Sequence, residues 1–342
     1  MLTRLRIRNF KKFDDAEVEL GQSVVLIGPN NSGKTTALQA LVLWDVGLRK
    51  WNERREGKSS PEKRPGVTIN RRDLFAIPIP DANLLWRKLH VRDVRRTNGK
   101  QETQNIRVEI VVDGVTAGKA WSCGFEFDYA NEESFYCRPL RMSDDKTPSR
   151  MVVPVEAAET RFAFLPPMSG LSATEPKWEA GRINVLLGEG QTAQVLRNLC
   201  YQVYELPEPR PAWEAICGHI ESLFGAQLQP PQFIRDRGEI TMTYRDRTSC
   251  VLDLSCAGRG LQQTLLLLAH LYANPRTVLL LDEPDAHLEV LRQRQMYQLL
   301  TDVATQQGSQ VIAASHSEVV LNEAANRDVV VAFVECRRTR SS

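Results

Sequence analysis

Ser23-Val24-Val25-Leu26-Ile27-Gly28-Pro29-Asn30-Asn31-Ser32-Gly33-Lys34-Thr35-Thr36 joins an apolar, β-branched run of strand length to a complete GxxxxGK[ST] loop. Ala37-Leu38-Gln39-Ala40-Leu41-Val42 follows, a good helix former with Leu38, Leu41 and Val42 spaced i, i+3, i+4. Strand, glycine loop and helix in that order turn backbone N–H groups and a helix N-terminus toward a polyphosphate. Lys34 is then placed to reach the β- and γ-phosphates, and the Thr35 hydroxyl to bind Mg²⁺. The stretch implies a nucleotide site.

The second half of such a site lies far along the chain. Thr277-Val278-Leu279-Leu280-Leu281-Asp282-Glu283-Pro284 reads as a buried strand that delivers two carboxylates to its C-terminal edge. Asp282 suits Mg²⁺, directly or through water. Glu283 suits the polarisation of an attacking water, since a carboxylate beside a terminal phosphate can accept its proton. Gln310-Val311-Ile312-Ala313-Ala314-Ser315-His316-Ser317 is another strand, and His316 at its end can hydrogen-bond that phosphate. Between the halves, Ser255, Gly258 and Gly260 offer a hydroxyl and open N–H groups at the start of a helix. That geometry makes most sense facing the nucleotide of another subunit; the segment reads also as a glycine turn opening a core helix.

Composition bounds the rest. The 342 residues, 42% of them hydrophobic, suffice for one large or two medium domains with a sizeable core. A net charge of +2 gives no global attraction to nucleic acid, so any such contact rests on local patches. Two basic clusters are expected in loops: Arg49, Lys50, Arg54, Arg55, Lys58, Lys63 and Arg64, interrupted by Glu53, Glu56 and Glu62, and Arg87, Lys88, Arg92, Arg95 and Arg96. A merely solvated surface reads equally well there. Seven scattered cysteines with no zinc-type spacing and no signal peptide are expected to be reduced thiols of a cytoplasmic protein. Apolar runs such as residues 265–269 are too short to span a bilayer, so no membrane partner is expected.

Patterning along the chain predicts short antiparallel strands before residue 21 and an exposed charged loop over 49–73. A hairpin is predicted from Ile106 to Tyr129, turning at Asp113-Gly114, followed by a helical stretch over 175–226. Strand returns at 239–245 and 250–252, and alternating helix and strand after residue 260 indicates a mostly parallel sheet.

Phosphate loop, Ser/Gly segment, Asp-Glu strand end and histidine, in that order, resemble an ABC-type ATPase of the SMC/RecF branch. The wording of residues 28–36, 257–263, 281–288 and 315–317 is closer still to the overcoming-lysogenization-defect (OLD) ATPases, of AAA_15/AAA_21 type. The resemblance implies an α/β fold: a P-loop NTPase of ABC type with a mixed, mostly parallel sheet, an antiparallel β subdomain and a helical insertion. One ATPase domain over 1–334 is expected, with a nucleotide-binding core at 1–90 and 236–334 and a strand-rich lobe at 100–135. The helical insertion falls at 175–226 and a basic tail at 335–342. The resemblance also implies hydrolysis of ATP with Mg²⁺, homodimerisation through the nucleotide interface with Asp285 and His287 in the loop that touches the opposite subunit, and work on DNA in phage defence or repair. OLD proteins continue into a TOPRIM nuclease, which here must come from a partner or a missing domain. The glutamine that senses Mg²⁺ in ABC-type lobes has no obvious position; Gln191 is a candidate, whereas Gln39 sits too early. Two other readings stay open: a nucleotide sensor holding a toxin or effector, and the ATP-binding subunit of a transporter.

Overall fold

The structure, a computed structural model, describes residues 1–55, 66–97, 100–142, 149–168, 170–206 and 211–333. Lys58, Lys63 and Arg64 of the first basic cluster, the 335–342 tail and Cys336 lie outside the described residues. The chain divides into two compact units, one of residues 1–21, 31–162 and 333–342, the other of 22–30 and 163–332.

In the first third the elements run β1 (Leu2–Phe10), β2 (Phe13–Glu19), β3 (Ser23–Ile27), α1 (Lys34–Arg55) and β4 (Val67–Asn70). They continue with β5 (Arg92–Thr97), β6 (Lys100–Asn105), β7 (Val108–Thr116), β8 (Lys119–Asn131), β9 (Ser134–Pro139) and α2 (Val155–Ala158). The first unit is built on a six-stranded sheet ordered β2-β1-β7-β8-β9-β4. Period-two alternation on β7 and β8 sends Val108, Ile110, Val112, Cys123, Phe125 and Phe127 into the core. Helix α1 covers that face: Trp44 stacks on Trp121, 6.1 Å between centroids, and its indole N–H donates to the Cys123 carbonyl at 2.8 Å.

Three local expectations are corrected here. The 49–73 stretch is no exposed loop in its described parts, because α1 runs on to Arg55 and β4 buries Val67 and Ile69 in the sheet. The second basic cluster is likewise structured, with Arg87 and Lys88 in a helical turn and Arg92, Arg95 and Arg96 within β5. The hairpin does not turn at Asp113-Gly114. Strand β7 runs through both residues to Thr116, and the turn is made by Ala117 and Gly118, at φ +50° and +78°. Gly114 serves a different need: a Cβ there would lie 2.4 Å from the Trp121 ring. Asp113 is held by Arg4, 2.8 Å, and Arg6, 3.1 Å, on the neighbouring strand.

The second unit holds β10 (Arg161–Leu165, its first two residues in the first unit), α3 (Ala180–Gly188), α4 (Leu196–Tyr204), α5 (Pro211–Phe224), β11 (Gln227–Leu228), β12 (Gln232–Ile234), β13 (Glu239–Thr241), β14 (Thr243–Arg245) and β15 (Val251–Asp253). It continues with α6 (Arg259–Ala273), β16 (Thr277–Asp282), α7 (Val290–Gln306), β17 (Gln310–Ser315), α8 (Glu318–Ala324) and β18 (Val329–Ala332). Its main sheet is ordered β10-β16-β17-β3-β18, and β16, β17, β3 and β18 run parallel. Strands buried on both faces read as continuous apolar runs, which is why Val278–Leu281 and Val311–Ala314 carry no alternation. Helix α6 is buried along its length and joins α4 and α5 to this sheet in one apolar core.

Among the described residues no helix is long and apolar enough to cross a membrane. The cysteines Cys123, Cys137, Cys200, Cys217, Cys250 and Cys256 are all free, and the first three are buried.

Burial has one cost inside α6. His270 is fully enclosed, its Nε2 finds no hydrogen-bond partner, and desolvation lowers its pKa to about 4. Its unfolded value is near 6.5, so the unfolded chain binds the extra proton between pH 6.5 and 4, and stability present above 6.5 is lost as pH falls through that window. Replacing His270 by Gln is expected to flatten the acid limb of the stability profile by about 2 kcal/mol between pH 7 and pH 5, read from urea unfolding at those two values. Identical pH dependence in both proteins would contradict this.

Candidate functional site

Register in the parallel sheet decides which residues meet. Asp282 pairs with Ala314, and Ala314 pairs with Leu26, so the three strands reach the same edge at the same level. One step beyond lie Glu283, Ser315 and Ile27; the next step gives His316 and Gly28. The edge therefore gathers the start of the glycine loop, the acid pair and the histidine within the second unit. This is the carboxyl edge of a parallel sheet, where α/β folds place their ligands.

The backbone at this edge is held in uncommon shapes. Gly28 sits at φ +152° and Glu283 at φ +49°, a left-handed conformation that a side-chain-bearing residue adopts only when its surroundings impose it. The imposing contacts are visible: the Glu283 N–H donates to the Ala314 carbonyl at 2.9 Å, and the Glu283 carbonyl accepts from Ala286 N–H at 3.1 Å. The turn aims the Glu283 carboxylate across to β17, where Oε1 lies 3.4 Å from His316 Nδ1. Both side chains keep access to solvent.

Asp285 is 3% exposed, and one carboxylate oxygen, Oδ1, has no hydrogen-bond partner. Burial raises its pKa, opposed by a hydrogen bond from Ser315 and the nearby His316. His287, at φ +67°, is exposed.

The rest of the glycine loop belongs to the first unit. Asn31 takes φ +65° and its carbonyl accepts from Lys12, while Gly33 at φ +116° packs against the Phe13 ring. Lys34 opens α1 and is 6% exposed; Thr35 and Thr36 follow on the first turn, and Ala37 N–H donates to the Gly33 carbonyl at 2.9 Å. The α1 N-terminus thus follows directly on the loop, the arrangement that presents N–H groups to phosphate oxygens.

The Ser255–Gly260 segment lies beside the Asp285–Glu289 turn. A cavity of about 410 Å³ there is lined by Arg247, Gly258, Arg259, Gly260, His287 and Arg292 among others. Gly258 caps α6 with nothing within 4 Å of where its Cβ would be, and Ser255 is exposed. Gly260 answers to packing instead: a Cβ there would lie 2.9 Å from the His287 carbonyl and 2.7 Å from Leu288. Gln262 braces the segment from behind, its amide donating to the carbonyls of Leu254 and Ala257 at 3.1 and 3.0 Å.

Gln39 accepts from Lys11 at 2.7 Å, and Gln191 pairs with Glu189 and Gln194 at the surface. A buried amide that the sequence reading did not single out is Gln263 of α6, whose oxygen accepts from Met168 N–H at 2.8 Å, three residues past β10. Ser315 was also missed; a hydroxyl closing an otherwise apolar buried strand was the available signal.

No group of three or more His, Cys, Asp or Glu arranged to hold a metal occurs among the described residues. Mg²⁺ asks for less: one or two carboxylates, a hydroxyl and the phosphates of its ligand, all hard oxygens. In the second unit Asp282 and the unpartnered oxygen of Asp285 are donors of that chemistry; in the first unit the Thr35 hydroxyl is another.

The fold is that of SMC head domains, as the sequence led one to expect. An SMC head domain with an extended coiled coil, bound to the C-terminal domain of ScpA derived from Pyrococcus furiosus, superposes with a TM-score of 0.53 at 12% identity, covering 97% of this chain and 92% of that one. The SmcHead bound to the C-winged helix domain of ScpA gives 0.52 at 14% identity, covering 97% and 94%. At those identities the likeness is one of fold. In sequence, residues 1–65 match the family model described as "AAA ATPase domain", and residues 249–322 the one described as "AAA domain, putative AbiEii toxin, Type IV TA system". An OLD nuclease of Thermus scotoductus (strain ATCC 700910 / SA-01) is 48% identical over 48 residues, a match spanning 14% of this chain and 9% of that protein's length.

The two glycines of the Ser255–Gly260 segment give a direct check. Gly260→Ala is expected to lose roughly 1–3 kcal/mol of stability by pressing on the His287 backbone, while Gly258→Ala stays within about 0.5 kcal/mol. Thermal or urea unfolding of the two variants decides it, and equal losses would contradict the assigned packing.

Proposed function

We propose that this chain binds and hydrolyses ATP with Mg²⁺ at the carboxyl edge of its parallel sheet, dimerises on ATP, and uses that cycle to gate a DNA-directed activity such as phage defence or repair. The single observation carrying the reading is the register that levels Gly28, Asp282-Glu283 and His316 at one edge. In this reading the N–H groups of the Gly28-to-Thr36 loop cradle the phosphates, Lys34 neutralises the β- and γ-phosphates, and Thr35 and Asp282 hold Mg²⁺. Glu283 accepts the proton of the attacking water, and His316, 3.4 Å from it, donates to the terminal phosphate. Ser255, Gly258 and Gly260 present the α6 N-terminus to the nucleotide of a second copy. A nuclease would be supplied by a partner or by a further domain, as the name of the OLD relative suggests. The domain limits read from the sequence stay part of this proposal, except that β1, β2 and β4 pair with the antiparallel sheet.

A second reading, a nucleotide sensor restraining a toxin or effector, is favoured by the wording of the family matched over residues 249–322. The two part on turnover. Lys34→Ala is expected to abolish binding of a fluorescent ATP analogue. Glu283→Gln is expected to retain that binding and to lower phosphate release by roughly a hundredfold or more. Wild-type turnover by Glu283→Gln would refute the assigned base, and tight binding with no turnover in the unaltered protein would favour the sensor.

A further inference from the structure

Arg197, the second residue of α4, is 1% exposed and sits among the apolar side chains that join α4 to α6. Its Nη1 donates to the Ser172 carbonyl and its Nη2 to Asp253 Oδ1, both at 2.9 Å. Glu175, itself fully buried, lies 3.9 Å from Nη1 and accepts from the N–H groups of Arg197 and Asn198 at 3.0 and 2.7 Å, closing the start of α4. The same Asp253 oxygen that receives Arg197 also accepts the Ser255 N–H at 2.8 Å. Asp253 thereby caps the 3-10 turn Leu254–Cys256, which leads through Ala257 into Gly258 and α6.

Stability alone does not account for this arrangement. Taking a guanidinium out of water costs several kcal/mol, and well-packed apolar residues usually do as well or better in its place. The apolar contacts between α4 and α6 would persist without it. What a planar, forked donor adds is direction, and here the direction is set at one place: the carboxylate that opens the Ser255–Gly260 segment.

We propose that Arg197 is a positioning residue that, through Asp253, sets the angle of the Ser255–Gly260 segment for engagement with a second copy, so that the helical insertion governs ATP-dependent pairing. This rests on the dimer reading given above. A shift of α4 on binding of a partner would move Arg197, release the Asp253 oxygen and let the segment turn away, without touching the chain's own glycine loop.

The test uses the full chain in a Glu283→Gln background, with Asp253→Asn, Arg197→Lys and the double variant. Asp253→Asn keeps an oxygen for Ser255 N–H and removes only the charge, and Asp253 is 41% exposed, so folding is preserved. Each variant is expected to bind a fluorescent ATP analogue within about twofold of its parent. The ATP-dependent monomer–dimer midpoint, read by sedimentation, is expected to move by about tenfold, the worth of one charge-assisted hydrogen bond. The double variant is expected to be no worse than either single one. With Glu283 restored, turnover should fall at unchanged KM. A parental dimerisation midpoint in Asp253→Asn and Arg197→Lys would overturn the proposal. A parent that stays monomeric with ATP would overturn the dimer reading itself, which separates the two failures.

Discussion

The parallel hydrogen-bond register of β16, β17 and β3 is the constraint on which the rest depends. A slip of one residue in any of these strands would turn its side chains to the other face and set its end off level with its neighbours. In register, strands separated by some 250 positions in sequence finish together, and the groups just past their ends face one another. The apolar packing of α6, α7 and α8 on the sheet holds that register.

Order at the edge is obtained at the expense of backbone comfort. Glu283 and His287 take left-handed conformations without being glycine, each costing on the order of 1 kcal/mol, and Asp285 leaves a carboxylate oxygen unpaired in a buried place. Three such features within five residues, beside the histidine that Glu283 contacts, point to a turn shaped by what it must present. The 3.4 Å approach of Glu283 and His316 is the visible result.

Much of this was legible in the sequence because it is written in local chemistry. The apolar runs of β3, β16 and β17, the glycine loop and the acid pair each announce themselves within ten residues, and register then follows from the sheet. What was not legible is what depends on distant partners. Gly114 looked like half of a turn because Asp-Gly usually is one, whereas its real neighbour is the Trp121 ring seven residues on. Gly260 was read for an open N–H group, and nothing in the sequence signals that the His287 carbonyl lies 2.9 Å from where its Cβ would stand. Arg197 gave no signal, since a single arginine in an amphipathic helix ordinarily faces water. Gln263 gave none either, as the residue whose N–H it accepts, Met168, lies almost a hundred positions earlier.

The central claim is that one edge of the parallel sheet receives Mg-ATP. Backbone hydrogen exchange read with and without Mg-ATP tests it most directly. The account expects slowed exchange in three separate stretches at once, residues 28–36, 282–287 and 315–317, with little change on the antiparallel sheet of the first unit. Slowed exchange at the glycine loop alone, with the strand ends after Asp282 and Ser315 unaffected, would contradict it.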